Sequence, residues 1–202
     1  MGKTTLFYVH GGDAYASNAQ FIQALTQKPL RDPRGEGSPR WTDQLRTELA
    51  EQHDVFTPQM PNKQNAQYNE WKIWFERHFE FLHREVVLLG WSLGGIFLAK
   101  YVSENQLPFT VKRLYLLAAP FCTEDLKEID CGDFLLDPEL IATLPEKAAE
   151  IVLMHAKDDF VVPYEHMLLY QRLLATAECV TFTDKNHFLL ETFPELYEHL
   201  RS

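Results

Sequence analysis

Six short apolar runs punctuate the chain, at 5–9 (TLFYV), 54–57 (DVFT), 86–90 (VVLLG), 113–118 (RLYLLA), 151–155 (IVLMH) and 179–183 (CVTFT). They are rich in Val, Leu, Ile and Phe and show little polar alternation, the pattern of strands buried on both faces of a parallel sheet. Helical spacing fills the gaps between them. Trp71, Trp74, Phe75, His78, Phe79 and Leu82 recur at three- and four-residue steps and form one apolar stripe. Further helices are predicted over 93–102, over 164–175 behind Pro163, and over 194–200. Ahead of the last helix, Thr192 and Glu195 have capping-box spacing. Strands alternating with helices predict an open α/β sheet with right-handed crossovers. Two stretches interrupt the rhythm. Residues 28–41 are dense in Pro, Gly and charge and read as a surface loop; 121–149 read as a small cap or lid inserted in a single domain spanning 1–202.

Composition narrows the function classes. The 202 residues are 46% hydrophobic and 24% charged, enough for a core without staples. Acidic residues number 29 against 19 basic, a net charge of −10. Such a chain repels phosphate backbones and anionic membrane surfaces, so neither a nucleic-acid nor a membrane partner is expected. No apolar run reaches the length of about 20 residues that a spanning helix needs. The N-terminal stretch meets His10 too early for a signal peptide. Cys122, Cys131 and Cys179 are an odd, sparse set, expected to be free buried thiols in a reducing cytoplasm. There is no His-Glu-x-x-His and no pair of cysteines two apart, so no metal and no other cofactor is expected.

The chemistry concentrates at Gly90-Trp91-Ser92-Leu93-Gly94, followed by Gly95. It comes straight after an apolar run and straight before a helical pattern, the context of a nucleophile elbow. A tight, strained turn there lifts the serine hydroxyl above the sheet edge, and small neighbours let strand and helix approach. A serine needs a base. Of the histidines that follow it, His155 lies inside a strand pattern, while His166 and His199 lie on helix patterns with a solvated face as the default. His187 follows the last strand, where open α/β sheets place their sites. The base needs an acid to orient it, and Asp158 and Asp159 both follow the fifth strand. His10-Gly11-Gly12-Asp13 follows the first strand, and its glycines can turn an amide toward the serine. The expected oxyanion donors are the amides of Gly12 and Leu93.

Taken together, HGGD at 10–13, GWSLGG at 90–95, DDFVVP at 158–163 and NHF at 186–188 resemble the α/β-hydrolase superfamily. Within it, the small size and minimal cap resemble the compact YdeN-type serine hydrolases. The resemblance implies an open, mostly parallel six-stranded sheet in the order 2-1-3-4-5-6, flanked by helices. It implies a triad of Ser92, Asp159 and His187, the acid being placed four residues before Pro163. The expected activity is acyl transfer on small soluble carboxylic esters; cleavage of thioesters or amides would use the same groups. The alternative is a protein-interaction module on a hydrolase scaffold. Short lid segments imply a shallow pocket that prefers short acyl chains. His10, Asp13 and Trp91 are expected at the pocket, with Trp41, Phe121 and Phe160 as its apolar walls.

Overall fold

The computed structural model describes residues 2–30, 32, 34, 39–126 and 128–202. Six parallel strands form one sheet: β1 (Thr4–Val9), β2 (His53–Phe56), β3 (Glu85–Trp91), β4 (Thr110–Leu117), β5 (Ala148–Ala156) and β6 (Glu178–Phe182). Their order is β2-β1-β3-β4-β5-β6. The order reverses after β1, so the loops following β1 and β3 splay apart at the sheet's C-terminal edge and open a crevice there. Each predicted apolar run is a strand. The central runs are apolar throughout because both faces are covered. Leu6, Tyr8, Val87, Leu89, Tyr115 and Leu117 pack on one face, and Phe7, Val9, Val86, Leu88, Leu114 and Leu116 on the other.

The helices are α1 (Asn18–Gln27), α2 (Trp41–Glu48), α3 (Tyr68–Arg77), α4 (Leu93–Glu104), the single turns α5 (Pro138–Ile141) and α6 (Leu144–Lys147), α7 (Glu165–Leu173) and α8 (Pro194–Arg201). The stripe at 71–82 divides into α3 and a 3-10 turn over His78–Phe81. Helix α4 is buried on nearly every side, which explains its almost wholly apolar sequence. Helices α1 and α2 were not expected. The loop anticipated over 28–41 falls partly outside the described residues, and its last residue, Trp41, opens α2. The capping box before α8 does not form: Phe193 is the N-cap, and the Glu195 carboxylate pairs with Lys185 at 2.9 Å.

The segment between β4 and β5, read from the sequence as a small cap or lid at 121–149, is in large part packed into the core. Phe121, Cys122, Phe134, Ile141 and Leu144 are buried in the core against α4, so much of the segment fills a crossover helix's place. The expectation of three free thiols is corrected here. Thr123 and Leu126 exchange backbone hydrogen bonds of 3.2 and 3.3 Å in a turn, and Cys122 and Cys131 lie 6.5 Å apart at Cα and form a disulfide. Cys179 is free. Among the described residues no helix is long and apolar enough to cross a membrane.

Candidate active site

Ser92 is the single residue between β3 and α4, at φ 55° and ψ −122°. A non-glycine residue there is strained, and it persists only where its surroundings over-determine it. The Ser92 N–H donates to Leu117 O at 2.8 Å, and Ser92 O accepts from Gly95 N–H at 2.8 Å. A Cβ on Gly94 would collide with Val9 O, and one on Gly90 with Gly94 O. The flanking glycines therefore let α4 press onto β3 and β1, and the hydroxyl stands at the open edge of the sheet.

His187 lies on the loop after β6. Its Nε2 is 2.9 Å from Ser92 Oγ, and its Nδ1 is 2.8 Å from Asp159 Oδ2. Asp159 Oδ1 accepts from the Val161 and Val162 amides at 2.8 and 2.9 Å. The Asp159 side chain is fully buried. Burial alone would raise its pKa. Hydrogen bonds from His155 and His187, the charge of His187 and the Val162 amide together outweigh that and hold the carboxyl well below the usual range. Asp158 points elsewhere: its exposed carboxylate accepts from Asn186 N–H at 3.1 Å and ties the acid loop to the histidine loop.

His155 is a buried strand residue, as its pattern suggested, yet it is also part of this cluster. Its Nε2 lies 2.8 Å from Val162 O and 3.3 Å from Asp159 Oδ2. Only its spacing of four residues before Asp159, hidden inside an apolar run, could have signalled this. His166 is not on a solvated face. It is 1% exposed, and its Nδ1 accepts from the Phe121 amide at 2.9 Å. His199 is partly covered and bonds to the Tyr115 hydroxyl and Glu178.

Two indoles hold the His187 loop from beneath. Trp91 Nε1–H donates to His187 O at 3.1 Å, and Trp41 Nε1–H donates to Phe188 O at 2.9 Å. Asn186 and Phe188 both have positive φ, at 42° and 53°, and Phe188 stacks on Phe193 with centroids 4.9 Å apart. The three expected apolar walls are thereby corrected. Trp41 is core, because its ring packs between Tyr8, Trp91 and Phe193. Phe121 is buried against Tyr170. Phe160 projects to solvent at 73% exposure, and its neighbour Val161 lines the cleft instead.

The loop after β1 passes directly over the serine. A Cβ on Gly11 would come within 3.1 Å of Ser92 Cβ. His10 Nε2 accepts from Met60 N–H at 2.8 Å, which leaves the proton on Nδ1 to donate to Gly11 O at 2.7 Å. His10 therefore fixes this loop to the one after β2, and burial pulls its pKa down. The Asp13 amide donates to Lys63 O at 2.8 Å, and the Asp13 carboxylate pairs with Lys28 at 2.7 Å. Among the described residues, neither the Gly12 nor the Leu93 N–H meets a protein acceptor.

Two hollows meet at Ser92. A cleft of about 820 Å³ carries His10, Asp13, Trp91 and His187 in its walls. A smaller hollow of about 150 Å³ lies on the other side, walled by Ala14, Leu93, Pro120, Ile129 and Val162. No group of three or more His, Cys, Asp or Glu side chains suited to a metal is found among the described residues.

A family model described as serine hydrolase matches residues 33–196. The chain belongs to the serine hydrolase family. No curated protein sequence matches it. Among solved structures, this serine hydrolase is similar to the ydeN gene product of B. subtilis, at 19% identity over 98% of this chain and 97% of the other, with a TM-score of 0.71. A meta-cleavage product hydrolase from Pseudomonas fluorescens matches at 15% identity over 99% of this chain and 90% of its own, with a TM-score of 0.67. A thioesterase domain from the curacin biosynthetic pathway matches at 11% identity over 98% and 89%, with a TM-score of 0.64. These likenesses establish the α/β-hydrolase fold.

Proposed function

We propose that this serine hydrolase cleaves small carboxylic esters by acyl transfer through Ser92, His187 and Asp159. The observation that carries the reading is the hydrogen-bonded line from buried Asp159 through His187 to a serine in a strained turn. Ser92 Oγ attacks the ester carbonyl while His187 Nε2 takes its proton. Asp159 holds Nδ1–H and stabilises the imidazolium. The amides of Gly12 and Leu93 receive the oxyanion. His187 then returns the proton to the leaving alcohol as its C–O bond breaks. Water, deprotonated by the same imidazole, releases the acid and restores Ser92.

Labelling with a fluorophosphonate probe tests the reading. Native protein is expected to take up one equivalent at Ser92, and Ser92→Ala none. Labelling no faster than that of denatured protein would overturn it and favour a scaffold without an activated nucleophile.

A further inference from the structure

The two hollows at Ser92 differ in chemistry and in access to His187. His187 lines the large cleft and is absent from the walls of the small one. The leaving oxygen must collect its proton from His187 Nε2, so the alcohol half of an ester lies in the large cleft. The acyl half then faces the small hollow. At about 150 Å³ and roughly 30 Å³ per water-sized group, that hollow holds about five heavy atoms.

Charge separates the two sides further. The small hollow carries Asp13 and Asp130 and no cation among its described walls. The large cleft carries Lys28, Arg40, Arg46 and Lys63 against Asp13 and Asp43. Lys28 is matched by Asp13. The Asp43 carboxylate accepts from Arg40 N–H at 3.0 Å and keeps its charge, so four cations face two carboxylates in the cleft wall. Arg40, Arg46 and Lys63 make no ion pair among the described residues. That is an excess of positive charge beside the serine of a chain whose net charge is −10. The wall of the same cleft contains Tyr8, whose buried hydroxyl has no hydrogen-bond partner. A buried donor left unpaired is unfavourable, and an oxygen-rich ligand would relieve it.

We propose that the substrate is an ester of a short acyl group with an alcohol that carries an anionic group, a phosphate or a carboxylate, held in the large cleft by Arg40, Arg46, Lys63 and Tyr8. This assignment rests on Ser92 being the nucleophile and His187 its base. The cleavage is the one already described: the Ser92 Oγ–carbonyl bond forms, the carbonyl–alkoxide bond breaks, and the anionic alcohol leaves with the proton from His187. The anion itself takes no part in bond making. It lowers the energy of the bound ester through guanidinium and ammonium contacts, strongest when bidentate to arginine.

The experiment compares acetate release from 4-acetoxybutanoate, from 3-acetoxypropyl phosphate and from the neutral 4-acetoxybutanamide. Monoethyl succinate places the charge on the acyl side instead. At low salt, kcat/KM for at least one anionic alcohol ester is expected to exceed that for the amide by about tenfold or more. The preference should shrink as salt screens it. The more active of the two esters identifies which anion the cleft prefers. In Arg46→Gln/Lys63→Gln the ratio of anionic to neutral ester should fall toward one, and Tyr8→Phe should lower it in part. Ser92-dependent hydrolysis with the amide cleaved as well as the anions, or with monoethyl succinate cleaved best, would overturn the proposal and leave the hydrolase reading intact. No cleavage of any ester, together with no fluorophosphonate labelling, would overturn both.

Discussion

Replacing Asp159 by asparagine separates the proposed acid from its neighbour and asks a geometric question. The carboxylate meets four donors: the Val161 and Val162 amides at Oδ1, and the His187 and His155 rings at Oδ2. An asparagine carbonyl can keep both backbone donors. Its NH2 group then faces His187 Nδ1–H, a donor against a donor. The ring relieves that clash by moving its proton to Nε2, which turns the atom facing Ser92 Oγ from an acceptor into a donor. Such an imidazole cannot take the serine proton, and the imidazolium also loses its counter-charge. A loss in kcat of about 10³- to 10⁴-fold follows, which is roughly 4–5.5 kcal/mol of transition-state stabilisation. Stability should fall as well, since charge-assisted hydrogen bonds each contribute about 1.5–3 kcal/mol. Asp158→Asn is the matched control. Its oxygen still accepts from Asn186 N–H in an exposed bond, so less than a tenfold loss is expected. The assay is kcat/KM on 4-nitrophenyl acetate for both variants, with circular dichroism and thermal unfolding confirming that each is folded. An Asp158→Asn protein that is inactive beside a working Asp159→Asn would refute the assignment. Two active variants would leave Ser92 and His187 working without an acid.

Two further outcomes follow from the same geometry. His10 and His166 both have pKa values pulled below the ordinary 6.5, chiefly by burial. The unfolded chain therefore takes up protons first, and stability should decline as pH falls below about 6.5 toward the lower folded values. Asp159 acts further down: its lowered pKa gives stability that is present above the ordinary 3.8 and lost as pH drops through its folded value. Thermal melts between pH 8 and pH 3 read both windows, and a midpoint that holds steady from pH 7 to 5 would contradict the first. Trp91→Phe keeps an aromatic ring, smaller than the buried indole, and removes the donor to His187 O, so a loss of at least about 1 kcal/mol of stability and a several-fold loss of kcat are expected. Unchanged kcat in a destabilised Trp91→Phe would mean that the indole supports the fold without positioning the histidine.

The parts of this protein legible in its sequence are those specified by short-range rules. Strands buried on both faces must be apolar throughout, so the six runs stand out without any knowledge of their partners. The strained turn at Ser92 needs glycines within two residues of it, so the elbow is written locally. His187 was visible for a similar reason, because topology alone puts the loop after β6 at the sheet's C-terminal edge. Side-chain direction is different, since it is set by whatever packs from elsewhere in the chain. Trp41, Phe121 and Phe160 are all large and apolar. Only the fold decides that the first supports the histidine loop, the second is buried beneath β4's crossover and the third faces water. The same holds for His155 and His166, whose partners come from the loop before α7 and from the segment after β4. The disulfide depended on the path of the segment between Cys122 and Cys131, which no local pattern in the sequence specifies. The cationic wall is the clearest case. Arg40, Arg46 and Lys63 are scattered among ordinary surface charges in a chain with an acidic excess. They face one cleft only because the sheet order sets β2 beside β1, bringing the loops after both strands, together with α2, around Ser92.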